Sequence, residues 1–251
     1  ANGVGVARNE KEAVDWFRLA ADKGITEAQR AIASAHVHGR EVAKDVNEAI
    51  RWLRLAAQSH DAAAQRELGY HYGKGLGVPQ DEKEAVRWFR LAADQGDRIA
   101  QYNLGFAYGN GRGVPKDERE AIRWYQLAAQ QEMADAQCAL GLIYEHGLGT
   151  PVDYERAAHW NQLAADKGHA EACNNLGWLY ENGLGVAQDF DAAKRWYEAA
   201  ARQEYEGAQR RLLLLRSRNM ARQSATRHSL HTDQSITEFL ENAFSGFVGL
   251  D

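Results

Sequence analysis

The sequence predicts an all-α solenoid built from antiparallel helix pairs that repeat every 36 residues. Three observations support this fold class: a strict internal repeat, helical spacing of the apolar residues within it, and a glycine-rich turn inside each copy. A fixed period of 20–50 residues is typical of stacked repeat proteins. Six of the seven tryptophans mark the period, at Trp16, Trp52, Trp88, Trp124, Trp160 and Trp196.

Residues 97–132 show how one copy is expected to fold. Helix A is predicted from about Asp97 to Gly109, because Ala100, Leu104 and Tyr108 share one helical face. Helix B follows the turn, with its apolar residues on one side. Small residues of the two helices would let them approach closely, while Trp124 fills the space between copies. The remaining apolar positions of helix B are Ala121, Tyr125, Ala128 and Ala129.

Acidic residues recur where each helix B begins. Asp117 is placed to cap the helix, and Glu120 three residues later completes a capping box. These acids therefore have a local structural task and are poor candidates for general acid–base catalysis. Equivalent pairs are Asn9/Glu12, Asp45/Glu48 and Asp81/Glu84.

The Gly-x-Gly turn resembles a phosphate-binding loop when it is met alone, as at Gly111 and Gly113. It occurs five times, however, and it follows a helical pattern, whereas a phosphate-binding loop is expected after a strand. We therefore interpret the glycines as residues that supply positive φ where one helix ends and the chain turns into the next.

The recurring pattern resembles the Sel1-like repeats, relatives of the tetratricopeptide repeat. The resemblance covers residues 1 to about 216 and implies a right-handed α-solenoid whose helices A line a concave face. It also implies an adaptor or scaffold role in protein–protein interaction, with no family catalytic residue to carry over. The matching residues are Ala100, Leu104-Gly105, Tyr108, Gly111-Arg112-Gly113-Val114, Asp117, Ala121, Trp124-Tyr125 and Ala128-Ala129.

The predicted copies differ in regularity. The 25–60 copy is the weakest, with Ile32-Ala33 in place of Leu-Gly and Glu41 in place of the second turn glycine. His60, Glu132 and Glu204 replace the glycine that ends helix B elsewhere, so those turns are expected to be less regular. The predicted organisation is a partial copy over 1–24 with helix B only, full copies over 25–60, 61–96, 97–132, 133–168 and 169–204, and C-terminal capping helices over 205–251.

Composition narrows the functional classes. The chain has 251 residues and a net charge of −5, which argues against general nucleic-acid binding because that needs a basic stripe. No apolar run is long enough to span a membrane. The chain begins inside a turn, so we expect an upstream helix to be missing, and the compartment, whether cytoplasmic, periplasmic or secreted, stays open.

Cysteines and histidines give no firm site. Cys138 and Cys173 lie on successive helices A and are interpreted as reduced, partly buried thiols, with a disulfide as the alternative. His36 and His38 are the closest approach to a metal pair, but their i, i+2 spacing on a helix points the rings apart. No cofactor or metal is predicted. An enzyme would need a polar cluster that breaks the repeat, and only His36, His38 and Glu41 offer one.

Positions that vary between copies are free to specify a partner. We call the positions two residues before the recurrent Tyr the groove row, and those two residues before the recurrent Leu the arginine row. Both are expected to face the concave side and to bind a peptide segment; the alternative is that they pack between helices A. The predicted partner-binding residues are Arg30, Arg66, Tyr70, Tyr102, Phe106, Leu142, Asn174 and Trp178.

The repeat fails after residue 216. A basic stretch is followed by a predicted amphipathic helix from Ser235 to Val248, which opens with the capping pair Ser235 and Glu238. Terminal copies of a solenoid need a cover, so this helix is expected to cap the chain. Binding to a groove, to a second copy or to a partner are the alternatives.

The leading functional hypothesis is a non-enzymatic adaptor that holds a partner protein along the concave face. The alternative is an immunity or inhibitor protein that neutralises one bacterial toxin or enzyme by covering its active site. The fold suits both, and the sequence does not distinguish them.

Overall fold

A computed structural model describes residues 10–215 and residue 217. Every regular element within these residues is helical, and no strand occurs among them. Residues 206–215 are also helical. The other helices are α1 Glu10–Asp22, α2 Thr26–His38, α3 Val46–Gln58, α4 Ala62–Lys74, α5 Glu82–Asp94, α6 Arg98–Asn110, α7 Glu118–Gln130, α8 Ala134–His146, α9 Tyr154–Ala165, α10 Ala170–Asn182 and α11 Phe190–Ala201.

The chain divides into two compact units, Ala1–Lys167 and Gly168–Asp251. In the first, each of α1 to α8 contacts the next helix along the chain; in the second, α10 contacts α11. Even-numbered helices are the predicted helices A and odd-numbered ones the helices B. The predicted all-α solenoid fold class is confirmed by this succession of paired helices.

The helix boundaries in the 97–132 copy follow the predicted caps. Asp97 caps α6 by accepting from the backbone N–H of Ala100 at 2.8 Å. Asp117 caps α7 in the same way, accepting from the N–H of Glu120 at 3.0 Å. Carboxylates at these positions also suit the positive end of the helix dipole.

The second half of the predicted capping box is wrong. The N–H of Asp117 donates to the carbonyl oxygen of Tyr108 at 2.9 Å, so it is already satisfied. The carboxylate of Glu120 instead lies 3.8 Å from Arg123, one turn later. The same link joins Asp81 to Tyr72, which shows that helix B is tied to helix A by the backbone of its cap.

The structural interpretation of the glycine turns is confirmed. Gly111 ends α6 with φ +68°, and Gly113 has φ +69°, both in the left-handed region. A Cβ atom at Gly113 would overlap the carbonyl oxygen of Glu82 in the preceding copy. The second glycine is therefore needed for close contact between copies as well as for its backbone angle.

The expectation of irregular turns after helices B is wrong. His60, Glu132 and Glu204 adopt φ near +60°, in the left-handed region where glycine lies at the equivalent positions. The following N–H of Asp61 still bonds to the carbonyl of Ala56 at 3.1 Å, as in the glycine-containing turns. The hydrogen bonds of the turn keep the backbone in the left-handed conformation, although this conformation is strained for a residue with a Cβ atom.

The core lies between copies, where Trp124 was expected. Trp124 is 5% exposed and packs in one cluster with Val86 and Ala92 of α5 in the preceding copy and with Leu104 of its own copy. Trp52 is buried in an equivalent cluster. Trp88, Trp160 and Trp196 are half-buried, and Trp16 in α1 is 64% exposed.

Close approach of the two helices depends on the glycine of the Leu-Gly pair. A Cβ atom at Gly105 would lie 2.7 Å from the ring of Tyr125, the residue after Trp124. Gly69 faces Phe89 in the same way. In the weakest copy both partners change together, because Ala33 stands at the glycine position and Leu53 at the ring position.

A ladder of buried glutamines, which the sequence reading missed, joins successive helices. Gln101 donates from Nε2 to the carbonyl oxygen of Ala93, at the end of the preceding helix B, at 3.2 Å. The same bond recurs three more times at the 36-residue period, so the recurring glutamines could have been recognised from the sequence. The donors are Gln29, Gln65 and Gln137, and their acceptors are Ala21, Ala57 and Ala129.

Candidate partner-binding groove

Two members of the groove row are exposed aromatic residues of the first unit. Tyr70 on α4 is 51% exposed and Phe106 on α6 is 41% exposed, although both occupy the helix A positions next to buried core residues. Leu142 on α8 is half-buried. The row therefore presents apolar side chains at the same position of three successive helices A.

Tyr70 and Phe106 line one pocket of about 200 Å³. Its apolar wall comes from α5 and includes Val86 and Phe89. The guanidinium of Arg112 lies 5.4 Å from the centre of the Phe106 ring, within reach of a cation–π contact. The remaining lining residues are Gly73, Lys74, Glu82, Ala85, Asn103 and Ala107.

The next pocket repeats the first one copy further along the chain. It measures about 350 Å³, and nine of its ten lining residues lie 36 positions after a residue of the first. Leu142 takes the place of Phe106 and Leu148 the place of Arg112, so this pocket is less charged. The two pockets recur with the repeat on the first unit, and together they are called the candidate groove.

A third hollow, of about 240 Å³, adjoins the first pocket and shares Tyr70 and Asn103 with it. Glu67, half-buried on α4, lines it together with Arg66. Burial raises the pKa of the Glu67 carboxyl above its usual value, although the charge of Arg66 opposes the shift. The sequence reading missed Glu67, whose position holds a different kind of residue in most copies.

Two members of the arginine row, Arg30 and Arg66, form ion pairs with aspartates. Arg30 lies 3.0 Å from Asp61, measured from Nε to Oδ1, and Arg66 lies 3.2 Å from Asp97, measured from Nε to Oδ2. Both aspartates are the caps of the following helix A. The two guanidinium groups therefore join successive helices A, and their charge is largely compensated there.

Tyr102 belongs to the packing between the two helices of its copy. Its ring lies 5.5 Å from that of Tyr125, centre to centre, with the planes at 59°. Burial raises the pKa of Tyr125 above its usual value. Tyr102 is itself half-buried and is not among the residues that line the two pockets.

In the second unit, the predicted residues are covered by their own chain. The guanidinium of Arg211, from the helical stretch 206–215, lies 6.0 Å from the centre of the Trp178 ring. It also lies 3.4 Å from the hydroxyl of Tyr197, whose O–H donates to Glu181 at 2.7 Å. Asn174 is thus buried and Trp178 half-buried against Arg211, whereas Tyr70 and Phe106 are exposed.

The two buried histidines, His36 and His71, contact carbonyl oxygens of the backbone. Buried His36 places Nδ1 3.3 Å from the carbonyl oxygen of Ala43, while His38 is exposed on the other side of α2, as the spacing predicted. His71 places Nδ1 2.8 Å from the carbonyl oxygen of Leu76. Among the described residues, no group of three or more His, Cys, Asp or Glu side chains is placed to hold a metal ion.

The remaining sequence predictions concern the cysteines, the tail and the membrane. Cys138 and Cys173 are buried and present as thiols. The predicted helix from Ser235 to Val248 and the capping residue Asn9 lie outside the described residues. Over the part of the chain that is described, no helix has the length and apolarity needed to cross a membrane.

Paired helices, glycine turns and a groove that recurs with the repeat define a helical repeat protein of the α-solenoid class. The family model of the Sel1 repeat matches six successive segments. The chain belongs to the Sel1 repeat family, whose members mediate protein–protein interaction. The matched residues are 1–25, 26–61, 62–97, 98–133, 134–169 and 170–205.

Solved structures agree with this assignment. The chain is 34% identical to c5321, a protective antigen of uropathogenic Escherichia coli with an SLR fold, over 86% of this chain and 46% of that one, with a TM-score of 0.83. It therefore spans about half the length of c5321. A Sel1 repeat protein from Oxalobacter formigenes is 33% identical over 75% of each chain, with a TM-score of 0.71.

A more distant structure shares the fold alone. The immunity protein Pa5087 from Pseudomonas aeruginosa is 19% identical, over 81% of this chain and 78% of that one, with a TM-score of 0.50. No curated protein matches the chain significantly.

Proposed function

We propose that this chain is a non-enzymatic adaptor that holds a segment of a partner protein in the groove of its first unit. The pair of exposed rings, Tyr70 and Phe106, around an apolar pocket carries this proposal. Aromatic residues dominate the binding energy of protein interfaces when they are buried by a partner. Membership of a family that mediates protein–protein interaction supports the same conclusion.

The candidate groove suits a polypeptide better than a small molecule. The pocket beside Phe106 and the pocket beside Leu142 repeat at the spacing of the copies, so one segment can place two apolar side chains in series. Lys74 and Glu82 at the rim of the first pocket provide polar contacts around an apolar centre. This is the anatomy of a protein interface, with an apolar core and a polar rim.

The experiment compares wild type with a Tyr70→Ala, Phe106→Ala double variant. The partner is obtained by affinity capture and mass spectrometry, and its dissociation constant is then measured by calorimetry. We expect binding to weaken by about 30-fold or more, the effect of losing one hot spot or more. Circular dichroism and the melting temperature should stay near wild type, since both rings are exposed.

Leu91→Ala is the matched control, because Leu91 is also about 40% exposed but lies on a helix B, α5. It should leave partner binding unchanged. Equal affinity of the double variant and wild type would exclude this groove as the binding surface.

The inhibitor hypothesis uses the same groove and differs in the partner. The likeness to an immunity protein supports the fold alone, at 19% identity. The two functions separate when the captured partner is assayed with and without this chain. If the partner loses its activity when an equimolar amount of the wild-type chain is added, but keeps it when the double variant is added, the inhibitor is favoured. If the partner's activity is unchanged by the wild-type chain, the adaptor is favoured.

A further inference from the structure

Glu67 lines the hollow beside the Tyr70–Phe106 pocket. It is half-buried on α4, and within the described residues it makes no ion pair and no hydrogen bond. Ile99 and Asn103 of α6 face it across the hollow. The carboxylate thus lies in a hollow between two successive helices A, beside the proposed groove.

The cations around Glu67 are engaged elsewhere. Arg66 is paired with Asp97 and Arg30 with Asp61, at 3.2 and 3.0 Å. His71 has its Nδ1 at the carbonyl oxygen of Leu76, and Asp61 adds a like charge. Burial outweighs the attraction of these cations and raises the pKa of Glu67, as expected for a charge that lacks a close partner.

Glu67 is also unusual in the repeat. The residues at this position in the other copies are Ala31, Asn103, Ala139, Asn175 and Arg211. A constant residue would serve the fold, whereas this position changes in size and charge from copy to copy. Only the copy that contains Tyr70 places a carboxylate there, so the charge marks one place along the groove.

We propose that Glu67 selects a partner segment that carries a Lys or Arg side chain next to the apolar residue held between Tyr70 and Phe106. The ammonium or guanidinium group donates to the Glu67 carboxylate, a charge-assisted hydrogen bond that is stronger than a neutral one. The net charge of −5 favours approach of a basic segment. This inference rests on the proposed function and adds the chemistry of the partner to it.

The geometry of the two hollows supports a composite motif. Tyr70 and Asn103 line both, so a cation at Glu67 and an apolar side chain beside Phe106 would occupy adjoining hollows. The apolar residue supplies burial, and the basic residue fixes the register of the segment. A like-charged or acidic residue at the same place would meet Glu67 unfavourably, which adds discrimination.

The test uses a random 12-residue peptide library displayed on phage, selected in parallel on wild type, Glu67→Gln, Glu67→Lys and Phe106→Ala. Glu67→Gln keeps the shape of the side chain and removes its charge, and circular dichroism checks that each variant folds. Wild type should enrich an apolar residue beside Lys or Arg. Glu67→Gln should lose the basic preference and keep the apolar one, and Glu67→Lys should turn the preference towards Asp or Glu.

Affinities of one selected peptide complete the test. Replacing its basic residue by Met should weaken binding to wild type at least tenfold and leave binding to Glu67→Gln unchanged, because the two groups act as a pair. Added salt should weaken the wild-type complex and have little effect on that of Glu67→Gln.

The outcomes separate the two proposals. Selection of apolar residues without a basic neighbour, or equal affinities for wild type and Glu67→Gln, overturns the inference and leaves the groove in place. No enrichment on wild type, or enrichment that survives Phe106→Ala unchanged, overturns the proposed groove and the inference with it.

Discussion

Gln131 donates from Nε2 to Oε1 of Gln101 at 2.8 Å, and Gln101 donates in turn to the carbonyl oxygen of Ala93. These bonds join the ends of two successive helices B through a buried residue of the helix A between them. Gln95 and Gln65 form the same chain one copy earlier. A buried amide therefore keeps both its donor and its acceptor occupied.

The ladder is incomplete at Gln29, and Ser59→Gln should complete it. Gln29 donates to Ala21, but its Oε1 is buried without a hydrogen bond, because Ser59 stands where Gln95 and Gln131 stand in later copies. A new hydrogen bond to a buried acceptor is expected to stabilise the fold by about 1 kcal/mol. Urea unfolding would measure it. Ser59→Ala, which adds no amide, should give no gain, and an equal gain in both variants would contradict the explanation.

His60→Gly should stabilise the chain. His60 has φ +62°, a conformation that glycine adopts without strain, and its side chain is exposed. Removing the Cβ atom is expected to raise the free energy of unfolding by about 1 kcal/mol. Gly96→Ala is the converse control, since a Cβ atom there meets nothing within 4 Å and only the backbone is affected. It should lower the melting temperature, and a rise would refute the backbone argument.

Gly105→Ala should destabilise the chain, and Tyr125→Leu should relieve most of the loss. The new methyl group would lie 2.7 Å from the Tyr125 ring, and such overpacking is expected to cost about 1–3 kcal/mol. The double variant reproduces the Ala33–Leu53 pair of the weakest copy. A double-mutant cycle by thermal unfolding measures the coupling. Gly109→Ala, 3.6 Å from Ala121, should be tolerated; additive effects of the first two changes would show that no clash exists.

Glu67→Gln should stabilise the chain more at pH 7 than at pH 4. Burial raises the pKa of this carboxyl in the folded chain above its unfolded value, so ionisation destabilises the fold. The contribution of the protonated form is fully present below the unfolded pKa and is lost as pH rises through the folded pKa. Melting temperatures of both proteins from pH 4 to 7 would test this. A difference that shrinks as pH rises would contradict the shift.

Trp124→Ala should lower the free energy of unfolding by about 3–5 kcal/mol, through lost burial and the cavity left behind. Trp124 is buried in the cluster between copies. Trp16→Ala is the control, because Trp16 has the same place in the repeat but is 64% exposed. Chemical denaturation of both variants would compare them. Similar losses would mean that the position matters for a reason other than burial.

Local features were predicted well because each copy is shaped by residues close in sequence. The helix caps at Asp97 and Asp117, the left-handed glycines and the packing of Trp124 all follow from spacing within one copy or between neighbours. The capping box failed at one point only. The N–H of Asp117 had a competing acceptor, Tyr108, which the helical pattern alone does not reveal.

The candidate groove was predicted only in part, because exposure depends on contacts that do not recur. The choice of Tyr70 and Phe106 came from their row, but Trp178 in that row is covered by Arg211. Arg30 and Arg66 were predicted to contact a partner, yet each pairs with a cap more than 30 residues away. Which residues pair in this way depends on how far each side chain extends in the folded chain. The variation between copies does not reveal that distance.

The pocket beside Leu142 reproduces the one beside Phe106 at nine equivalent positions, and this has an evolutionary consequence. Duplication of the gene segment that encodes one 36-residue copy would add another pocket of the same shape. The new copy would bring its own turns and glutamine hydrogen bonds. Point substitutions could then retune each pocket separately. In this way the number of pockets could first increase, and their side chains could diverge afterwards, without any change of fold.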